Sequence, residues 1–498
     1  MRVTRALVPV LAGAVLVTTF APGEARADVP TRGRLHVSDS QVFQASPVTV
    51  RGLVPGGFRR TVLLQRKVSW GWTSVAKTHT RASGRFVFRY RTNRLGPLTL
   101  RVWAPRTFHQ HRRVVRVRTP MRTVEVIPSP IGGDIARVTA GSKGSQNARL
   151  SPDGRFVLFD SEAADLVTGD TNGYRDVFLH DRTTGETTRI TGGHGSSYAG
   201  AISADGRWVA FDSYASDLVP GDTNNMRDVF LYDRDTMTTT RITDGNGGSA
   251  VGGLSADGRR LVFASYASDL VDGDTNNYGD VFLYDADTQA ISKLTGGKGA
   301  GKSPSISADG RWIAFYSGAP NLVPDDKNHV RDVFVYDVEA GTTRRITDGN
   351  AASQSTTSSI SADGRWVTFY SDATDLVDGD TNDRTDVFLS DVQHGTTTRI
   401  SHGNSHSLTP VISADGHRLA FTSYASNLTP GDVNAQADIF TYDTDLDLVA
   451  RITNGNGPSD LPAISSDGSL VAFSSLAADL VGGDTNNMSD VFTWLRTS

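Results

Sequence analysis

The phrase Ser-x-Asp-Gly, each time followed by an alternating, aromatic-rich run, occurs seven times in this chain of 498 residues. The copies begin at Ser151, Ser203, Ser255, Ser307, Ser361, Ser413 and Ser465, giving intervals of 52, 52, 52, 54, 52 and 52 residues. A single unit of that kind cannot bury its apolar face alone, so the copies must stack.

The stretch 201–247 shows what one unit contains. Ala201-Ile202-Ser203 is a short strand and Ala204-Asp205-Gly206 a tight turn, with Asp accepting a backbone bond and Gly tolerating positive φ. Arg207 to Asp212 reads as a second strand, and a long loop from Ala215 to Arg227 leads to a third, Asp228-Val229-Phe230-Leu231-Tyr232-Asp233. Thr239-Thr240-Arg241-Ile242-Thr243 is a fourth. Four antiparallel strands per unit make one blade of a β-propeller. Phe159, Phe211, Phe263, Phe315, Phe369, Phe421 and Phe473 recur on the second strand. Phe178, Phe230, Phe282, Phe334, Phe388, Phe440 and Phe492 recur on the third. Such regular aromatics are expected to pack between blades rather than line a ligand site.

The phase of the repeat distinguishes a ring from an open array. The last copy stops after its third strand, Asp490–Trp494, whereas Ile135-Ala136-Arg137-Val138-Thr139 lies 52 residues before Thr187-Thr188-Arg189-Ile190-Thr191 and has the character of a fourth strand. Pairing Ile135–Thr139 with Asp490–Trp494 completes the last blade and removes a sheet edge. The expected fold is therefore all-β: a seven-bladed β-propeller over 134–498 closed by an amino-terminal strand.

Ser-x-Asp-Gly-Arg-Trp-Val-Ala-Phe, Asp-Val-Phe-Leu-Tyr-Asp and Thr-Thr-Arg-Ile-Thr together resemble the WD40-like "PD40" repeat of TolB-type propellers, over about Asp134 to Ser498. The resemblance implies the propeller fold. TolB has six blades, a different amino-terminal domain and a peptidoglycan-associated lipoprotein as partner, so the resemblance does not extend to that role.

The remainder divides into an export signal, a basic domain and a linker. Residues 1–27 read as a signal peptide: Arg2 and Arg5, an apolar run from Ala6 to Phe20, and Ala25-Arg26-Ala27 before Asp28. The run is short for a spanning helix, so no transmembrane anchor is expected. The chain has no cysteine, which excludes disulfides and lipid attachment at a processed Cys. A secreted protein, in place at the cell wall, is the expectation.

The net charge of −4 hides a division, since Asp28 to Arg122 holds 20 basic residues against Asp28 and Asp39, about +18, while the rest of the mature chain is about −24. Residues 28–119 give about seven short alternating segments and resemble immunoglobulin-like β-sandwich modules of secreted actinobacterial proteins, on Leu64-Gln65-Arg66, Trp72 to Ala76 and Ala82 to Phe86. Residues 120–133 read as a linker. Three readings of the basic charge stand: an anionic cell-wall polymer, a solvated strand face, or the acidic domain as partner. No nucleic-acid motif is present.

The loop between second and third strands carries Asp-x-Asn-x-x-x-Asp in every copy. The residues are Asp170/Asn172/Asp176, Asp222/Asn224/Asp228, Asp274/Asn276/Asp280, Asp326/Asn328/Asp332, Asp380/Asn382/Asp386, Asp432/Asn434/Asp438 and Asp484/Asn486/Asp490. Another Asx stands five residues upstream: Asp165, Asp217, Asp269, Asn321, Asp375, Asn427 or Asp479. Oxygen ligands at alternate positions suit structural Ca²⁺, and the same side chains suit backbone hydrogen bonding that orders a long loop. Both readings stand.

A partner site belongs where copies differ, in the loops between fourth and first strands, so the candidates are Asn147, Tyr198, Lys302, Gln354, His406 and Asp460. No catalytic constellation is present: neither a Gly-x-Ser-x-Gly elbow nor a His-Glu-x-x-His helix occurs. The expected function is a non-catalytic binding scaffold for a protein, peptide or glycan. The alternative is an extracellular propeller enzyme, a hydrolase or lyase acting on polysaccharide or peptide.

Overall fold

The computed structural model describes residues 33–497 except 38–40, 44–46, 56–57, 69–70, 92–95, 110–111, 115, 128–131, 277, 355–358 and 430–431. The signal peptide expected over 1–27 lies outside them. Strands are the sole regular elements among the described residues, and no helix is long and apolar enough to cross a membrane. The chain divides into two compact units with the main boundary between Val124 and Glu125, and 39–48 and 91–97 grouped with the second.

In the amino-terminal part, Arg34–Val37 pairs with Pro47–Leu53, which neighbours Arg85–Arg91 in a three-stranded sheet. In a second sheet Gly96–Ala104 pairs with Thr61–Val68, which pairs with Gly71–His79. Val48, Val50, Val62, Leu64, Leu100 and Val102 alternate along these strands and are fully buried, as a half-buried pleat requires. The expected linker is not one throughout, because Arg122–Ile127 is a strand that pairs in parallel with Gln41–Phe43.

From Ser145 onward the chain forms four-stranded antiparallel sheets in sequence order. Sheet one runs Ser145–Leu150, Phe156–Ser161, Asp176–Asp181, Glu186–Arg189. Sheets two to six repeat it, starting at Ser197, Ser249, Gly301, Ser353 and Ser407. The seventh joins Ser459–Ile464, Leu470–Ser475 and Asp490–Thr497 to Gly132–Arg137 from far upstream. The closing strand is thus present but shifted: it begins at Gly132 rather than Ile135 and gives way after Arg137 to a single backbone bond from Val138 N to Val491 O. Gly133 makes the earlier start feasible, since a Cβ there would stand 2.2 Å from the Trp494 ring.

Local chemistry fixes each turn. Ser203 Oγ donates to Asp205 Oδ1 at 2.5 Å and accepts from Trp208 N, while Gly206 takes φ +70°. The residue after that Ser then bonds to the next sheet: Ala204 N to Ala256 O, Ala256 N to Ala308 O, Ala362 N to Ala414 O, Ala414 N to Ser466 O, and Ser466 N to Pro152 O. The last of these returns from sheet seven to sheet one.

The repeated phenylalanines pair across strands within a sheet and also fill the space between sheets. Phe159 stands opposite Phe178, and all seven such pairs are stacked, with centroids 5.4–5.8 Å apart and planes within 11–18°. Phe211 and Phe230 of sheet two join Leu158, Val177 and Leu179 of sheet one, whereas Phe159 and Phe178 join Ala472 and Val491 of sheet seven. Each buried Phe contributes roughly 1.5–3 kcal/mol, so these interfaces hold the array together. Fourth strands such as Thr238–Arg241 are outermost and alternate exposed with half-buried residues, as an edge demands.

Candidate functional site

The Asx loops form a frame that uses its own cations. In each sheet the last Asp of the motif is fully buried, and its Oδ1 accepts from a hydroxyl at 2.6–2.8 Å: Thr191 for Asp176, Thr243 for Asp228, Thr295 for Asp280, Thr347 for Asp332, Ser401 for Asp386, Thr453 for Asp438 and Thr139 for Asp490. One basic side chain then bridges the first and last Asp. Arg189, Arg241, Lys293, Arg345, Arg399, Arg451 and Arg137 stand 2.7–3.4 Å from Asp170, Asp222, Asp274, Asp326, Asp380, Asp432 and Asp484. The same cations lie 2.8–3.8 Å from the last Asp. Burial pushes the Asp228 carboxyl above the usual range, against the opposing pull of Thr243, Asn224 and Arg241.

The asparagines between them are equally committed. Asn172, Asn224, Asn276, Asn328, Asn382, Asn434 and Asn486 each donate from Nδ2 to a glycine carbonyl at 2.8–3.3 Å. The Oδ1 of each accepts the backbone N–H two residues on. The upstream Asx accepts a backbone N–H of the preceding connection at 2.7–2.9 Å in all seven places, as Asp217 does from His194. Each connection between sheets is therefore stapled from both sides.

This arrangement bears on the structural Ca²⁺ expected on the motif. A calcium ion would need the space that the guanidinium or ammonium group occupies, and oxygens that already accept hydrogen bonds or face that cation. The amide oxygens of Asn172, Asn276, Asn328, Asn382, Asn434 and Asn486 are spent on loop N–H groups just as that of Asn224 is. Among the described residues no group of three or more His, Asp or Glu side chains is placed to hold a metal ion. The hydrogen bonds expected of these side chains are present in every copy, with a basic side chain between the paired aspartates.

The positions that break the repeat lie at the end of the sheets where the long loops are. Tyr198, Lys302, Gln354 and Asp460 are equivalent residues of the first strand, opposite Asp212, Tyr316, Tyr370 and Ser474 of the second. The structure gives each a partner. Tyr198 meets Tyr214 edge-on, with ring centres 6.4 Å apart. Lys302 Nζ lies 5.5 Å from the centre of the Tyr266 ring. Gln354 Oε1 accepts from Tyr370 Oη at 2.9 Å, and Asp460 accepts from Thr422 Oγ1 at 2.7 Å. Asn147, one residue further on, has φ +56° at a bulge and donates from Nδ2 to Asp160 at 2.7 Å. His406, just before its strand, is exposed and joins Thr385 Oγ1 through Nδ1 at 2.8 Å. The two-residue insertion of the fifth copy falls between Gln354 and Ile360.

The charged residues beneath these candidates escape a search confined to variable loops. Asp160 and Asp212 are equivalent, buried, and held by Arg175 and Arg227; the first pair meets at 2.6 Å. Burial pushes the Asp212 carboxyl up to about 6 despite Arg227. Arg149, whose Nε donates to Gly200 O at 3.1 Å, lies close enough to feel both carboxylates, and desolvation lowers its pKa. The signal available was simple: Asp follows the second-strand Phe in two adjacent copies, where the others carry Ala264, Tyr316, Tyr370, Thr422 and Ser474. Beside them an equivalent surface position gives Tyr214, Tyr266, Tyr424 and Leu476, about half exposed at 52, 54, 49 and 50%. This end presents aromatic faces over fixed charges, an arrangement suited to binding.

No known family profile matches the chain. An uncharacterized protein of Agrobacterium fabrum is 32% identical over 143 residues, 28% of this chain and 46% of that protein, so the chain spans less than half the length of the curated relative it matches. Among solved structures, a TolB from Agrobacterium tumefaciens is similar at TM-score 0.39 and 15% identity, covering 65% of this chain and 98% of that one. A TolB from Acinetobacter baumannii gives TM-score 0.35 and 13% identity, with 74% and 79% covered. Dipeptidyl peptidase 4 from Porphyromonas gingivalis gives 0.40 and 14%, with 86% and 64% covered. At these scores the likenesses add nothing to what the strand pairing shows.

Proposed function

We propose that this chain is an exported binding scaffold: a seven-bladed β-propeller whose loop-bearing face takes a protein, peptide or glycan partner, preceded by a basic immunoglobulin-like module that associates with an anionic polymer of the cell envelope. The observation that carries the reading is the separation of roles by position. Residues that repeat in every sheet are consumed by the frame, whereas exposed tyrosines and unmatched charges gather where the repeat fails. A scaffold needs the first set and specificity needs the second.

The polymer reading has support in the amino-terminal part. A groove of about 920 Å³ is bordered by Arg34, Arg51, Arg81, Arg85 and Arg122, and all five are exposed. None of these five forms an ion pair among the described residues. Their charge is open to a polyanion.

The alternative, a hydrolase or lyase, draws on the Asp160 and Asp212 carboxylates, but both are tied to arginines in the resting chain. Glycan and peptide arrays probed with the full chain separate the readings. A ligand retained by the wild type and lost from a Tyr214→Ala/Tyr424→Ala variant of unchanged melting temperature is the expected result. Turnover of any array ligand that disappears in Asp212→Asn, His406→Ala or Asp460→Ala would overturn it in favour of the enzyme.

A further inference from the structure

The sheets provide internal controls for one another, and sheet three departs from its neighbours in a particular way. At three equivalent positions at the loop-bearing end, sheet two carries Tyr198, Asp212 and Arg227, and sheet four carries Lys302, Tyr316 and Arg331. Sheet three carries Ala250, Ala264 and Gly279. Of the neighbouring sheets' side chains at these positions, Arg227 and Lys302 border the gap that the small residues leave. The result is a cavity of about 450 Å³ between Tyr214, Met226, Arg227, Tyr266 and Lys302, within the size range of small-ligand sites. Gly279 shapes it directly, because a Cβ there would stand 3.0 Å from the Tyr266 ring.

The chemistry of the walls narrows the occupant. Tyr214 and Tyr266 leave half their surface uncovered, and a tyrosine offers a flat carbon face together with a hydroxyl. Apart from Met226, Arg227 and Lys302, the rest of the lining is small: glycine, alanine and serine. Lys302 and Arg331 lie against Tyr266 and Tyr316, at 5.5 and 5.9 Å from the ring centres, and neither forms an ion pair among the described residues. Arg227, by contrast, is neutralised by Asp212. In a repeat region that is strongly acidic as a whole, Lys302 and Arg331 thus hold positive charge with no carboxylate partner among the described residues.

We infer that the sheet-three hollow binds an acidic sugar, a uronate unit of a glycan, with Tyr214 and Tyr266 against the sugar ring and Lys302 on its carboxylate. The inference rests on the partner-binding reading of this face and names its ligand class. A neutral sugar would leave Lys302 without a counter-charge, whereas a uronate supplies ring faces, hydroxyls and one anion together.

The test is isothermal titration of the full chain with trimers of galacturonate, mannuronate and glucuronate, with a neutral galactose trimer and a glutamate tripeptide alongside. One or more uronate trimers should bind about tenfold more tightly than the neutral trimer, a one-decade difference in Kd. Gly279→Arg, which refills the hollow as in the neighbouring sheets, should abolish that binding, and Lys302→Met should weaken it by about tenfold at an unchanged melting temperature. If no uronate binds, or if binding survives both substitutions, the inference is overturned. Binding of the glutamate peptide in place of every uronate overturns the ligand class but leaves the face a binding surface. Silence from these ligands and from the arrays removes both.

Discussion

Asp212 and Asp233 sit on adjacent strands of one sheet and yet respond to pH in opposite directions. Burial holds the Asp212 carboxyl at about 6, whereas the unfolded chain releases that proton near pH 3.9. Between those values the folded state binds more protons, so stability falls as pH rises through the window, by at most ~2–3 kcal/mol. Asp233 is pulled down to about 2 by the Arg207 side chain. Its contribution is present above the ordinary carboxylate range and is lost as pH falls through about 2. Urea unfolding at pH values from about 4 to about 6 should therefore show a downward slope that Asp212→Asn flattens. A slope identical in the variant would show that Asp212 ionises normally. The identity of such residues was visible in the register of the copies, but their weight was not. Whether an Asp beside a repeated Phe is solvated or sealed in depends on the sheet that packs over it.

At the scale of an element, the decisive feature is the cation slot between paired aspartates. Its fourth-strand Arg or Lys was legible only as one more residue of a Thr-Thr-Arg-Ile-Thr strand. The Asp-x-Asn-x-x-x-Asp spacing was legible as a ligand pattern, because sequence shows the oxygens and not the guanidinium folded between them. Arg241→Met should leave Asp222 and Asp228 buried without compensation and cost roughly 3–5 kcal/mol, read from denaturant unfolding. Arg241→Lys should cost much less, since Lys293 fills the same slot in sheet three. Excess chelator should leave the melting temperature of the wild type in place; a marked drop reversed by Ca²⁺ would mean the slot is shared with metal. The Arg122–Ile127 strand illustrates another limit. Proline at 120 and 128 marks it as a connection, and its parallel partner Gln41–Phe43 lies some eighty residues away, beyond the reach of any local pattern.

For the molecule as a whole, the phase of the repeat sufficed to predict closure, because one unit lacked a fourth strand and a spare one stood upstream. The exact bounds were set by packing instead, with Gly132 and Gly133 lying against the last strand. Gly133→Val would drive a side chain into Trp494 and should destabilise by ~1–3 kcal/mol. Trp494 fluorescence should report sheet seven opening before the rest. Gly132→Val, whose Cβ meets nothing nearer than Thr497 Oγ1 at 3.5 Å, serves as the control. Equal effects from the two would deny the closing strand a special role.

The closing strand also has a mechanical consequence. Gly132 lies opposite Thr497 and Arg137 opposite Phe492, so the chain enters and leaves the seventh sheet at the same end of one antiparallel pair. Tension applied between Gly132 and Thr497 would peel that pair open one rung at a time, like a zipper. Tension between Gly132 and a ligand held on the sheets pulls along the strand and must shear all six rungs together. A protein tethered through its amino-terminal side would thus hold firmly against a pull from its ligand while yielding readily to a pull on its own tail.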